Sequence, residues 1–83
     1  MSVEYNEHTK RYELTENGYT AFAQCRVDDG VFYINYVESP PELRGKGTAG
    51  RLMQGLVDIA SEKNLEIKPI CGYAAGWLQR HQS

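Results

Sequence analysis

Three glycines and two cations are crowded into Leu43-Arg44-Gly45-Lys46-Gly47-Thr48-Ala49-Gly50, just ahead of a run with helical apolar spacing. Glycine permits positive φ and close approach of the backbone to a ligand, and the first N–H groups of a helix have no partner inside it. With the positive end of the helix dipole added, such a turn binds phosphate oxygens. Arg44 and Lys46 supply charge, while the small Thr48, Ala49 and Gly50 keep side chains clear of the bound group. An ordinary strand-to-helix reversal would use fewer glycines and no flanking cations.

Several anion-binding patterns compete for these residues. Gly45-x-Gly47-x-x-Gly50 satisfies the dinucleotide pattern, and Glu66 lies at a suitable distance for a ribose contact. The dinucleotide turn follows its strand at once, however, whereas Glu38 to Arg44 intervene here with Pro40 and Pro41, and Glu66 begins its strand instead of ending it. A nucleotide-hydrolysing P-loop fails because Pro40 stands at its first glycine and Gly47 at its hydroxyl position. Gly47-Thr48-Ala49-Gly50 also matches the Gly-x-x-Gly of KH-type binders of single-stranded RNA, but a strand and a proline loop precede it where those domains have a helix.

Arg44-x-x-Gly47-x-Ala49 resembles the pyrophosphate-binding signature, Gln/Arg-x-x-Gly-x-Gly/Ala, of the GNAT acyltransferases. The resemblance continues through Glu38-x-Pro40-x-x-x-Arg44-Gly45-x-Gly47, the following helix with Leu52 and Leu56, Pro69-x-Cys71-x-Tyr73, and Trp77-Leu78-x-x-His81. The chain is thus similar to the small single-domain members of that superfamily, with residues 1–83 forming one domain. The resemblance implies acetyl-CoA as the bound species. Its pyrophosphate would lie on the backbone of Arg44, Gly45, Lys46, Gly47, Thr48 and Ala49, with Gly50 closing the turn. The pantetheine arm would run past Val37, between the Val31–Val37 and Leu65–Lys68 strands.

Acetyl transfer to an amine requires a neutral nucleophile, a polarised thioester carbonyl and a proton for the leaving thiolate. Glu38, at the end of the strand beside the arm, is placed to accept the amine proton, and Tyr73 to protonate the sulfur. In a covalent route Cys71 would carry the acetyl group first. Structural roles compete with each assignment. Cys71 could be a small buried hydrophobe, Glu38 could cap the proline loop, and Tyr73, Trp77 and Leu78 share a helical face suited to the core. Cys25 reads as core, and His8 and His81 as solvated side chains. The departure from the His-Thr-Glu expected before the proline loop, where Tyr36-Val37-Glu38 stands, keeps the carboxylate but removes a histidine.

These groups must be positioned by strands and helices, and the pattern supplies them. Lys10–Leu14 reads as a strand followed by a turn over Thr15–Gly18. Tyr19–Val27 alternates, with Tyr19, Ala21, Ala23, Cys25 and Val27 on one face, and Val31–Val37 is rich in β-branched and aromatic residues. Asp28-Asp29-Gly30 joins the two as a hairpin. Leu52, Met53, Leu56, Ile59 and Ala60 recur at helical spacing, predicting an amphipathic helix over Thr48–Lys63 with Asn64 as its C-terminal cap. Leu65–Lys68 is a short strand predicted to lie parallel to Val31–Val37, and Gly72–Arg80 a final helix. The expected fold is α/β: a mixed, mostly antiparallel sheet with one βαβ unit and two helices.

Composition closes off other classes. The 83 residues are too few for two nucleotide-binding halves or for a barrel of about 250 residues. A chain of this size buries roughly 60–65% of its unfolded surface, which favours a monomer helped by ligand or a weak homodimer. Residues 1–42 carry eight acids against three bases and residues 43–83 six bases against three acids, so a net charge of −2 conceals an anion-favouring second half. An acidic protein of this kind is not a general nucleic-acid surface, and the alternative to catalysis is a CoA-binding or regulatory module. No segment has the apolar length of a membrane span or the pattern of a signal peptide, so the expected location is cytoplasmic, with Cys25 and Cys71 as free thiols and no metal site. The acceptor amine is not specified, and so short a chain predicts an open or partner-completed acceptor site.

Overall fold

The computed structural model describes residues 3–81. Five strands and two helices follow one another as β1 (Glu4–Asn6), β2 (Arg11–Glu16), β3 (Tyr19–Asp28), β4 (Val31–Glu38), α1 (Thr48–Glu62), β5 (Glu66–Pro69) and α2 (Gly72–His81), with a 3₁₀ turn at Pro41–Leu43. The strands form a single mixed sheet in chain order, antiparallel from β1 to β4 and parallel between β4 and β5. The crossover from β4 through α1 to β5 is the expected βαβ unit. Leu14, Ala21, Ala23, Phe32 and Ile34 from the sheet meet Leu52, Met53, Leu56 and Ala60 of α1 and Ala74, Trp77 and Leu78 of α2 in one contiguous core. Alanines at positions 21 and 23 let the helix layer approach the middle of β3, where both side chains are fully buried.

Three features of the first three strands differ from the pattern in the sequence. Strand β1, whose exposed Glu4 and Tyr5 give no apolar alternation, is held by pairing with Arg11–Glu13. Strand β2 runs on through Thr15 and Glu16, because Asn17 (φ 53°) and Gly18 (φ 80°) alone make the reversal. Two residues with positive φ match the twist of the flanking strands, and Asp29 and Gly30 repeat the device. Tyr19 and Val27, expected to be buried with Ala21 and Ala23, are exposed because the ends of this ten-residue strand run past the helix layer. Cys25 does pack against the core, and burial pushes its thiol up to about 12.

A β-bulge decides the phase of β4. Gln24 pairs with Tyr36 and Cys25 with Ile34, which leaves Asn35 as the extra residue. Phe32 and Ile34 face the core before the bulge; after it Val37, opposite Ala23, takes the core face, while Tyr36 and Glu38 are exposed. Without the extra residue, continued alternation would turn Tyr36 and Glu38 inward. At the far end of α1, Asn64 (φ 56°) supplies the left-handed turn, with its N–H donated to the Ser61 carbonyl at 3.1 Å and that of Leu65 to the Ala60 carbonyl at 2.8 Å. That bond pair is a Schellman cap, built on asparagine as expected.

Candidate functional site

The glycine-rich turn begins where the 3₁₀ turn ends. Gly45 and Gly47 take φ of 76° and 78°, a region costly to other residues, and Gly47 is the N-cap of α1 without any side-chain capping bond. A Cβ on Gly47 would also lie 3.0 Å from Nη1 of Arg51. The first helical bond runs from the Arg51 N–H to the Gly47 carbonyl. Among the described residues the N–H groups of Gly45, Gly47, Thr48, Ala49 and Gly50 therefore have no intramolecular acceptor. Five unpaired donors at a helix start, without a carboxylate in the first turn, fit a phosphate group. Gly50 serves packing as well: a Cβ there would stand 3.4 Å from Nε1 of Trp77 on α2.

The structure corrects the predicted path beside β4. Strands β4 and β5 pair from Val31↔Glu66 to Ile34↔Pro69, and hydrogen-bonded strands leave no space for a ligand between them. The opening starts only beyond Ile34. Its carbonyl accepts the N–H groups of both Ile70 (2.9 Å) and Cys71 (3.1 Å), and the chain then departs into α2, leaving Tyr36–Glu38 without a β5 partner. In that opening lies a cavity of about 500 Å³ lined by Tyr36, Val37, Glu38, Ser39, Pro41, Arg44, Ala49 and Tyr73. A second, of about 260 Å³, borders the glycine turn and shares Ser39, Arg44, Ala49 and Tyr73 with the first. One cleft thus joins the anion-binding turn to the end of β4. At the junction the Oγ of Ser39 is buried and has no hydrogen-bond partner among the described residues, so a polar ligand group there would satisfy it.

Most of the residues expected at the site come together. Val37, Glu38, Arg44, Ala49 and Tyr73 line the larger cavity, and Gly45, Gly47, Thr48 and Gly50 the smaller. Lys46 is exposed but lines neither, and Cys71, half-buried against the core, lines neither as well. Tyr73 does not join Trp77 and Leu78 in the core. Ala74 takes that place, and Tyr73, 41% exposed, projects into the cleft, where desolvation and the nearby Cys71 push its hydroxyl above the usual tyrosine range. Tyr36 donates its hydroxyl to Oε1 of Glu38, and this bond and the carboxylate's charge raise the Tyr36 pKa. His81 lies outside the cleft: its ring stacks on Trp77 at 3.9 Å, and Nδ1 lies 2.8 Å from the Trp77 carbonyl oxygen.

Two important residues, Glu16 and Arg51, escape sequence reasoning. Glu16, at the end of β2, is only 6% exposed. Its carboxylate accepts hydrogen bonds from Oγ1 of the fully buried Thr48 (2.5 Å) and from Nε and Nη2 of Arg51 (both 2.7 Å), and Nη2 also donates to the Lys46 carbonyl at 2.7 Å. The bonds from Arg51 and Thr48 hold Glu16 down to about 2. The Thr48 hydroxyl is thereby committed to the scaffold, leaving its backbone N–H for a ligand. Nothing in the sequence links Glu16 to a turn more than thirty positions away; only the sheet brings them together.

The turn with unpaired N–H groups is the one expected from the resemblance, while the opening it leads into lies beyond the paired part of β4 and β5 and not between them. A family model described as GCN5-related N-acetyl-transferase matches residues 11–83, from the start of β2 to the C-terminus. The chain belongs to the GCN5-related N-acetyltransferase family. Among curated proteins, none matches it in sequence. Membership implies acetyl transfer to an amine, with acetyl-CoA as the donor that the family generally uses. The matched span contains every residue of the cleft.

Proposed function

We propose that this protein is an acetyl-CoA-dependent N-acetyltransferase working by direct attack. The observation that carries the reading is the continuity of the cleft: five unpaired N–H donors at one end, Tyr36, Glu38 and Tyr73 at the other, and shared walls between. Gly45–Gly50 and Arg44 would hold the pyrophosphate of the donor, and Val37 and the Ser39 hydroxyl, beside the opening beyond Ile34, would line the path of its pantetheine arm.

Glu38 accepts the proton of the incoming amine on Oε2, since Oε1 is occupied by the Tyr36 hydroxyl. The amine nitrogen bonds to the thioester carbonyl carbon, the C–S bond breaks, and the departing sulfur takes the Tyr73 proton. With its pKa raised, Tyr73 holds that proton through neutral pH. Cys71 lines neither cavity, which favours direct attack over an acetyl-cysteine route. The open cleft also accords with an acceptor that supplies part of its own binding surface.

Intact mass after incubation with acetyl-CoA, for the wild type and Cys71→Ala, together with acetylation of an amine panel, tests the proposal. Direct attack predicts turnover in both proteins and no stable gain of about 42 Da on the thiol. Turnover lost in Cys71→Ala, with the adduct present in wild type, would establish the covalent route. CoA binding without transfer to any amine would identify a CoA-binding module instead.

A further inference from the structure

Glu16 lines neither cavity of the cleft, yet it bonds to the turn that forms one end of it. We infer that Glu16 is a positioning residue for the pyrophosphate-binding turn, acting through Arg51 and Thr48; this rests on the proposed CoA binding. Three successive features of the turn are anchored from behind. The Lys46 carbonyl is held by Nη2 of Arg51, Gly47 packs beside Nη1 of that guanidinium, and the Thr48 hydroxyl is bound by Oε1 of Glu16. Glu16 fixes the guanidinium itself through two charge-assisted bonds, one to each carboxylate oxygen.

The effect is on direction. A loop with two left-handed glycines has many conformations available, and only those that turn the N–H groups outward bind phosphate. The Lys46 carbonyl and the Gly47 N–H belong to one trans peptide, so holding that carbonyl on Arg51 turns the Gly47 N–H the other way, and the bond to Glu16 anchors Thr48 next to it. The same ion pair holds Nε and Nη2 of Arg51 behind the turn, on Glu16 and the Lys46 carbonyl. Arg44 lines both cavities, and Lys46 within the turn is exposed. Glu16 sits at the β2–β3 hairpin, so the network ties that hairpin to the start of α1.

A site that is competent a tenth of the time binds about ten times more weakly, because apparent affinity falls with the population of the competent state. Glu16→Gln and Thr48→Val are therefore each expected to raise the Kd for CoA about tenfold, whereas Thr48→Ser, which keeps the hydroxyl, stays near wild type. The discriminating readout is a donor without the pyrophosphate. With S-acetylpantetheine, kcat/KM in Glu16→Gln stays within about twofold of wild type, since the turn has no phosphate to hold. Calorimetric titration with CoA and initial rates with both donors, on variants shown to be folded by circular dichroism, decide the matter. Equal losses with both donors, or an unchanged Kd for CoA in Glu16→Gln and Thr48→Val, would overturn the inference while leaving the proposed function intact. A wild-type protein that fails to bind CoA would overturn both.

Discussion

Two helix starts face the same cleft, and they are built for different work. At α1 the chain enters through Gly45 and Gly47 with positive φ, and the first turn presents bare N–H groups between small side chains. At α2 the entry is Ile70-Cys71, both anchored on the Ile34 carbonyl, and the first turn presents the phenol of Tyr73. The N–H groups of Gly72, Tyr73 and Ala74 also have no intramolecular acceptor among the described residues, so unpaired donors alone do not distinguish the two. What differs is the access around them and the support behind. The α1 turn is backed by a buried carboxylate and flanked by Arg44; the α2 turn is backed by strand pairing and carries a protonated hydroxyl. One end of the cleft presents backbone donors, the other the phenols of Tyr36 and Tyr73 and the carboxylate of Glu38.

This contrast is broken most severely at Gly47. A β-branched residue at its φ of 78°, with a Cβ 3.0 Å from the Arg51 guanidinium, must distort the turn, so Gly47→Val is expected to weaken CoA binding by about a hundredfold or more in a calorimetric titration. Substitution on the other side separates the functions: Tyr73→Phe should lower kcat by about a hundredfold while the Kd for CoA stays unchanged, the pattern for loss of a general acid. Glu38→Gln should lower kcat similarly, and raising the pH should recover part of the rate by deprotonating the amine without a base.

Acid titration sharpens the difference in support. Glu16 titrates near 2 in the folded protein against an ordinary 4.5, so its contribution to stability is complete above about 4.5 and is lost as pH falls toward 2. Chemical denaturation of the wild type should show this loss between those values, and Glu16→Gln should show a shallower pH dependence there. The smallest effect lies far from both helix starts. Replacing Asn64, at φ 56°, by glycine relieves left-handed strain and should raise stability by about 0.5–1 kcal/mol, a rise in Tm of a few degrees, with CoA affinity unchanged.

Much of the backbone end of the site was legible in the sequence because glycine and helix periodicity are local signals. Positive φ at Gly45 and Gly47, the start of α1 at Thr48 and the parallel placement of β5 all follow from them. The side-chain end was less legible. Helical spacing put Tyr73 with Trp77 and Leu78, but a ten-residue helix starting at the cleft buries Ala74 and leaves Tyr73 in the opening. The bulge at Asn35, which sets Tyr36 and Glu38 outward, is a property of strand pairing and has no mark in composition. Glu16 was hidden by its neighbours, since the Asn17-Gly18 turn signal extended over it, and its partners come from a different part of the chain.

The central claim, that the start of α1 holds the pyrophosphate of CoA, is tested most directly by titrating CoA into the isotopically labelled protein and following its amide signals. The account predicts that the N–H signals of Gly45, Gly47, Thr48, Ala49 and Gly50 shift together at CoA concentrations below about a millimolar, along with the indole N–H of Trp77 beside Gly50, and that Gly47→Val abolishes the response. Shifts confined to other parts of the surface, or none at millimolar CoA, would contradict it.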